Sequence, residues 1–147
     1  LGHAFAMPPN VLHASCVDID GRGVLILGHT GSGKSGLSLQ LLAFGAVLVA
    51  DDRVEVCQQD DHLIAKAPAT IKGLVEARGV GILQAKTAPQ TRLALVVDMD
   101  TAEEDRFPEC HSYEMFDCKL PCLRRVDAAY FPAAVFQMLK NGRQSPS

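Results

Sequence analysis

Short continuous apolar runs, bounded by glycines and polar clusters, dominate the first third of the chain. One run covers Gly23–Leu27, and a second covers Val47–Ala50, which two aspartates follow directly. Runs of this length without alternation are typical of strands that are buried on both faces. Between them, the leucine-rich segment Leu37–Leu42 favours a helix that we expect to end at Gly45, a C′ glycine. The pattern therefore predicts a buried strand, a helix and a second buried strand.

Two hairpins accompany this unit. Val11–Asp20 predicts an edge strand that contains His13, and a tight turn at Asp20-Gly21 leads back into the first buried run. Val54–Cys57 and Leu63–Ala65 flank a polar turn and predict a second hairpin. Successive short strands with little helix between them differ from a repeated βαβ pattern. We therefore expect a mixed sheet in which the residues after the two buried runs lie on neighbouring strands.

The second half of the chain alternates apolar and polar segments. The pattern predicts an apolar segment interrupted by glycines at Gly73–Leu83 and a buried strand at Leu93–Asp98. A surface excursion or partner-binding loop is predicted at Asp100–Cys118. A short strand at Lys119–Val126 and an amphipathic helix at Asp127–Lys140 follow. Asp127 is a candidate N-cap of that helix, and Gly142 lies beyond its end. The whole pattern predicts an α/β domain.

Length and composition restrict the organisation of this domain. With 147 residues, 48% of them hydrophobic, the chain is long enough for one domain, which we expect at residues 11–142. Residues 1–10 are expected to be a tail or a non-native extension, and residues 143–147 a second tail. No apolar run approaches the ~20 residues needed to cross a bilayer, and no signal peptide is evident. We therefore expect a cytoplasmic protein.

Charge and cysteine content exclude several classes of function. The net charge of -3 gives no electrostatic reason to expect binding to nucleic acid or to a membrane. The five cysteines form no C-x-x-C pair and are odd in number, so reduced thiols are expected. Cys110, His111, Cys118 and Cys122 do not match the spacing of a common structural zinc site, and zinc is not predicted.

The segment that carries the clearest chemistry follows the first buried run. It matches G-x-x-x-x-G-K-[ST] at every position, and we call it the P-loop; its residues are Gly28, His29, Thr30, Gly31, Ser32, Gly33, Lys34 and Ser35. Glycines let backbone N–H groups wrap around a phosphate, and the following helix adds its positive N-terminal end. Lys34 is expected to reach the β- and γ-phosphates, and the Ser35 hydroxyl to bind Mg²⁺. The alternative, a glycine turn that binds nothing, is disfavoured by the complete pattern and its flanks.

Four charged or titratable residues outside the P-loop are further candidates. Asp51 and Asp52 end a buried strand, where a metal ligand or a base would lie, and adjacent acids point to opposite faces if the strand continues. The alternative is a solvent-exposed strand end. Glu76 in an apolar segment needs a partner such as Mg²⁺ or phosphate, unless it pairs with Arg78. His13 is a candidate catalytic residue or a structural histidine.

The order and spacing of these motifs resemble a known family. His13, the P-loop, Leu48–Asp52 and Glu76–Ile82 together resemble the catalytic domain of bacterial HPr kinase/phosphorylase over roughly residues 11–98. The resemblance implies a Mg-ATP-dependent serine protein kinase that acts on HPr, the phosphocarrier of the sugar phosphotransferase system. It also implies a P-loop-containing mixed β-sheet with flanking helices, a fold like that of phosphoenolpyruvate carboxykinase. Members of the family are commonly hexamers, so a homo-oligomer is expected.

The resemblance also implies a role for each matching residue. Lys34 would bind the nucleotide phosphates, and Ser35 and Glu76 would serve Mg²⁺. Asp52 would accept the proton of the substrate serine, and Asp51 would help to hold the metal. His13 matches the catalytic histidine of the family, and Arg106 matches its later catalytic arginine.

The chain departs from the family pattern at two points, and two other functions stay open. We expect a short form of the family, without the N-terminal regulatory domain of longer members. The P-V-R-P-G-R loop, which the family links to phosphorolysis, appears only as Leu120–Arg125, so kinase activity is the prediction rather than the reverse reaction. The alternatives are a small-metabolite or nucleotide kinase and a non-enzymatic ATP-binding sensor. The identity of the phosphate acceptor, or its absence, discriminates between them.

Overall fold

The computed structural model describes residues 10–68 and 73–143. Within them lie eleven strands and two helices: β1 Asn10–Leu12, β2 Ala14–Ile19, β3 Arg22–Leu27, α1 Lys34–Ala43, β4 Val47–Ala50, β5 Val54–Gln59, β6 His62–Lys66, β7 Leu74–Ala77, β8 Gly81–Gln84, β9 Thr91–Ala102, β10 His111–Met115, β11 Cys118–Arg125 and α2 Phe131–Asn141. The residues for which the sequence predicts tails fall mostly outside these ranges, at 1–9 and 144–147. None of the described helices is long and apolar enough to span a membrane.

One mixed sheet of nine strands organises the molecule. Its order is β1-β5-β6-β9-β3-β2-β4, and β11 joins it by parallel pairing with β9 while β10 pairs with β11. Strand β9 is the centre, because its first part lies between β3 and β6 and its later part between β3 and β11. Strands β7 and β8 form a separate hairpin. The prediction of an α/β fold with a mixed sheet and flanking helices is confirmed.

Apolar side chains on both faces of this sheet explain the continuous hydrophobic runs. On one face, Val24 and Ile26 pack with Leu37 and Leu41 of α1 and with Val135 of α2. Leu25 points to the opposite face and packs in a second core with residues of β4, β5 and β6. Because alternate residues of β3 serve different cores, the strand has no polar face. Each fully buried side chain of this kind stabilises the fold by roughly 1.5–3 kcal/mol.

The first predicted strand differs from expectation. It is two strands: β1 pairs with β5, and β2 lies between β3 and β4 and is therefore not an edge strand. His13 lies at the break. Because β2 intervenes, the prediction that the P-loop and the acidic pair follow neighbouring strands is wrong. The polar side chains of β2 have partners within the fold, because Ser15 is fully buried and hydrogen-bonded to Asp51, and Asp18 accepts the Thr91 hydroxyl.

Both hairpins of the first half are confirmed. Asp20 and Gly21 have φ of 52° and 85°, the left-handed pair that a two-residue turn requires. The second hairpin joins β5 and β6 through the turn Asp60-Asp61, and the flanking glutamines of β5 belong to the ladder rather than to the turn. Helix α1 ends at Ala43, and Gly45 follows its cap with φ 116°, as a C′ glycine does.

The C-terminal part contains more regular structure than the sequence predicts. The expected excursion from Asp100 includes the end of β9 and the whole of β10, which is hydrogen-bonded to β11. Helix α2 begins at Phe131 rather than near Asp127, with Tyr130 as N-cap and a proline in its first turn. Asp127 does not cap the helix because its carboxylate accepts the Nε–H of Arg125 at 2.8 Å. Gly142 is the C-cap, as expected beyond the helix end.

Candidate functional site

The P-loop connects β3 to α1 and leaves the start of the helix open. Gly28 has φ 156°, and a Cβ at this position would lie 2.3 Å from the Ser32 hydroxyl, so no larger residue fits. Gly33, with φ 103°, is the N-cap of α1, which has no side-chain cap and no acidic residue in its first turn. The buried Ser32 Oγ has no hydrogen-bond partner in the described part of the chain. Unpaired donors around a glycine turn fit a phosphate group.

Lys34 adds a buried positive charge to this turn. Its side chain belongs to a residue that is only 5% exposed, and Nζ donates to the carbonyl of His29 at 3.2 Å. The same carbonyl accepts the N–H of Ser32 at 3.0 Å. Burying an ammonium group destabilises the folded state unless an anion or several hydrogen-bond acceptors compensate its charge. A nucleotide phosphate would provide that anion.

Asp51 lies directly after β4 and faces the first residues of α1. Its Oδ1 accepts the hydroxyls of Ser35 and Ser15, each at 3.0 Å, and its Oδ2 accepts the backbone N–H of Glu76 at 3.3 Å. A hydroxyl next to a carboxylate, with Glu76 also lining the cleft, is an oxygen donor set that suits Mg²⁺. No cluster of three or more His, Cys, Asp or Glu is found in residues 10–68 and 73–143.

Asp52 occupies a different environment from its neighbour. Its φ of 68° is left-handed, and its N–H donates to the Ser15 hydroxyl at 3.3 Å. The Asp52 carboxylate lies 3.3 Å from Nδ1 of His13, whose Nε2 is 3.3 Å from the Thr30 hydroxyl. The two acids thus have different surroundings, and the reason is the backbone turn at Asp52 rather than the alternation of a continuing strand, because β4 ends at Ala50. His13 connects the P-loop to the exposed carboxylate.

A cleft of about 650 Å³ brings most of the predicted site residues together. Its wall combines residues of the P-loop and the start of α1 with Asp51 and Asp52, and the β7–β8 hairpin contributes Glu76, Arg78 and Val80. Glu76 and Arg78 form no ion pair within the described residues, so the alternative reading of these charges as a salt bridge is not supported. Both residues line the cleft instead.

Five predicted residues are not part of the cleft wall; they are His13, Gly28, His29, Ser32 and Arg106. Arg106 lies in the connection between β9 and β10, with its guanidinium 5.2 Å from the ring centroid of Phe107. The His29 ring contacts Asp100 at the end of β9 rather than lining the cleft. The catalytic role of Arg106 stays a prediction without support from this geometry.

Two residues that contact the site were missed from the sequence. Ser15 donates to Asp51 and accepts the N–H of Asp52, and Asp100 accepts the N–H of His29 at 3.1 Å. A serine inside an apolar strand was a usable signal for the first. No sequence signal pointed to Asp100, because β3 and β9 are distant in sequence. The N–H and ring of His29, with the charge of Lys34, hold the pKa of Asp100 below its usual range.

A family model and curated relatives place the chain in the same protein family. The family model described as "HPr Serine kinase C-terminal domain" matches residues 5–121. An HPr kinase/phosphorylase of Limosilactobacillus reuteri (strain DSM 20016) is 42% identical over 106 residues, which are 67% of this chain and 33% of that protein. The HPr kinase/phosphorylase of Geobacillus thermodenitrificans is 41% identical over 107 residues, covering 67% and 35%. The chain therefore spans about a third of the length of these curated relatives.

A solved structure is similar over most of both chains. The structure of the Hpr(Ser) kinase/phosphatase from Coxiella burnetii matches with a TM-score of 0.77, covers 90% of this chain and 95% of that chain, and is 24% identical. At this level of identity the likeness supports the fold.

Proposed function

The chain belongs to the HPr serine kinase C-terminal domain family, and from this we propose that it is an ATP-dependent serine kinase domain that phosphorylates HPr. The observation that carries the proposal is a single cleft lined by residues of the P-loop, by the Ser35–Asp51 pair and by Asp52, which His13 contacts from outside the cleft wall. Because the chain spans about a third of its curated relatives, activity is inferred from this site rather than from the length of the match.

The P-loop would bind the triphosphate of ATP. Backbone N–H groups at the start of α1 would donate to phosphate oxygens, and the Lys34 ammonium would reach from the His29 carbonyl toward the β- and γ-phosphates. Mg²⁺, when bound, would neutralise developing charge on the phosphates. Ser35 and Asp51, with Glu76, whose N–H donates to Asp51, are the residues that would hold it.

Asp52 would act on the protein substrate. Its carboxylate is 64% exposed, which leaves it accessible to a serine hydroxyl. The serine oxygen forms the new bond to the γ-phosphorus as the bond to the ADP leaving oxygen breaks, and Asp52 accepts the hydroxyl proton. His13 would orient the Asp52 carboxylate, since its other ring nitrogen is anchored at Thr30.

Three finer statements belong to the same proposal. Mg²⁺ as the metal rests on the oxygen donors at Ser35 and Asp51. A homo-oligomer and a cytoplasmic location rest on the resemblance to the family and on the sequence pattern, and both stay predictions. The kinase direction is favoured over phosphorolysis because the family's P-V-R-P-G-R loop is replaced at Leu120–Arg125.

The test is phosphorylation of HPr. The purified chain is incubated with Mg-ATP and HPr from the same organism, and HPr is followed by intact-mass and peptide mass spectrometry. We expect one phosphate on one serine, and a rate at least about a hundredfold lower for Lys34→Ala because a phosphate-binding cation is removed. Unmodified HPr, together with measurable ATP binding, would move the assignment to another acceptor or to a nucleotide sensor.

A further inference from the structure

The peptide unit of His29 is held on both sides. Its N–H donates to Oδ1 of Asp100 at 3.1 Å, and its carbonyl accepts the N–H of Ser32 at 3.0 Å and Nζ of Lys34 at 3.2 Å. The His29 ring contacts the same oxygen of Asp100 through Nδ1. One residue of the P-loop thus connects a carboxylate of β9 to the ammonium that lines the cleft.

The strand pairing explains why Asp100 lies there. Strands β3 and β9 are parallel, and Leu27, the last residue of β3, pairs with Asp98. Strand β9 continues to Ala102, so Asp100 lies beside the loop that follows β3. The N–H of Asp100 donates to the Asp98 carboxylate at 2.9 Å, which fixes the backbone at this position. The carboxylate is therefore presented by β9, at the irregularity between Asp98 and Ala102 in the pairing of β9 with β11.

The interaction is charge-assisted and lies outside the cleft wall. The hydrogen bonds from His29 lower the pKa of Asp100, which keeps its carboxyl ionised at neutral pH. An ionised acceptor binds an N–H group more strongly than a neutral one. Asp100 does not line the cleft, so it acts on a bound nucleotide through His29 and through its charge interaction with Lys34.

We infer that Asp100 is a positioning residue for nucleotide binding. It fixes the peptide unit of His29, and through the His29 carbonyl it holds the P-loop turn and the Lys34 ammonium in the arrangement that binds phosphate. An ordered loop loses less conformational entropy when a ligand binds, so its affinity is higher. The inference rests on the proposed function of the cleft and assigns a part of that function to a strand outside the sequence motif.

The experiment measures nucleotide binding by itself. The full chain is titrated with a fluorescent mant-ADP in the presence of Mg²⁺, and its Kd is compared with those of Asp100→Ala and Asp100→Asn. We expect Asp100→Ala to raise the Kd about tenfold because the His29 N–H loses its acceptor. Asp100→Asn should stay within about threefold of the unsubstituted chain because the amide oxygen still accepts that N–H. Melting temperatures of all three proteins report any general loss of structure.

Each outcome separates the inference from the proposed function. If Asp100→Ala binds mant-ADP as tightly as the unsubstituted chain, the inference is overturned. It is also overturned if Asp100→Ala and Asp100→Asn raise the Kd equally, because the negative charge of Asp100, and not its hydrogen bond to His29, would then determine the affinity. Failure of the unsubstituted chain to bind mant-ADP would instead overturn the proposed function. Hydrogen exchange of the His29 amide needs no variant. We expect it to be slowed in the unsubstituted chain, and exchange at the rate of an unprotected amide would contradict the inference.

Discussion

Two of the histidine–carboxylate pairs differ in what surrounds the acid. Beside the cleft, His13 lies 3.3 Å from Asp52, and the side chains are 47% and 64% exposed. After β9, His111 lies 2.9 Å from Glu103, and the side chains are 24% and 7% exposed. The chemical groups are of the same kind, but one carboxylate is open and the other is enclosed.

The hydrogen bonds around each carboxylate reinforce this difference. Glu103 accepts the N–H groups of Glu104 at 3.0 Å and Asp105 at 3.2 Å in addition to His111. Burial by itself raises the pKa of Glu103, but these three donors outweigh it and lower the pKa. Among the described residues, His13 is the one side-chain partner of the Asp52 carboxylate.

The comparison separates a pair whose carboxylate is enclosed from a pair whose carboxylate is accessible. The oxygens of Glu103 are committed to the loop that begins the connection between β9 and β10, so they organise the backbone and are not free for a substrate. Asp52 keeps acceptor capacity that faces a cleft containing the P-loop. A histidine beside an acid therefore indicates catalysis only where the acid retains unsatisfied oxygens near a substrate site.

The largest expected effect is the loss of phosphoryl transfer in Asp52→Asn. The substitution keeps size and polarity but removes the proton acceptor, so we expect the rate of HPr phosphorylation to fall by about 10²–10⁴-fold. Nucleotide affinity and melting temperature should change little because the side chain is exposed. Glu103→Gln makes the same chemical change in the other pair and should leave the rate within about twofold. Full activity in Asp52→Asn would assign the base to another residue.

A smaller effect is expected on stability from Glu103→Ala. The substitution leaves two backbone N–H groups and the His111 ring without their acceptor, so we expect the melting temperature to fall by about 5 °C. The rate of phosphorylation below the melting transition should be unchanged. The measurement is thermal unfolding followed by circular dichroism, with Asp52→Asn as the matched substitution in the cleft. A stability loss in Asp52→Asn as large as in Glu103→Ala would remove the distinction between the pairs.

The smallest expected effect is on the decrease of the melting temperature at acidic pH. The pKa of Glu103 is lower in the folded chain than in the unfolded chain, so its contribution to stability is present above the ordinary carboxyl pKa. That contribution is lost as the pH falls through the lowered pKa, below about pH 4. Glu103→Gln cannot titrate, and its melting temperature should fall less between about pH 6 and pH 3 than that of the unsubstituted chain. Parallel curves would show that Glu103 does not contribute to the acid dependence.

Much of the fold and of the candidate site follows from short stretches of sequence. The P-loop, the buried strand before it and the helix after it were predicted within a few residues, as were the two hairpins and the acidic pair. These features depend on neighbours in the chain: glycines that allow left-handed backbone, an apolar run of strand length, and a helix N-terminus. The resemblance to the family assigned roles to His13, Asp52 and Glu76, and those roles stay predictions that the cleft geometry supports.

Tertiary structure alone decided which strands are neighbours. Apolar runs buried on both faces specify burial but not partners, so the sequence could not show that β2 lies between β3 and β4, or that β9 brings Asp100 beside His29. It also could not show that Arg106 lies outside the cleft wall, or that the segment after β9 contains β10. The physical reason is range: turns and helix ends are fixed by contacts between nearby residues, whereas strand order is set by packing between segments that are far apart in the chain.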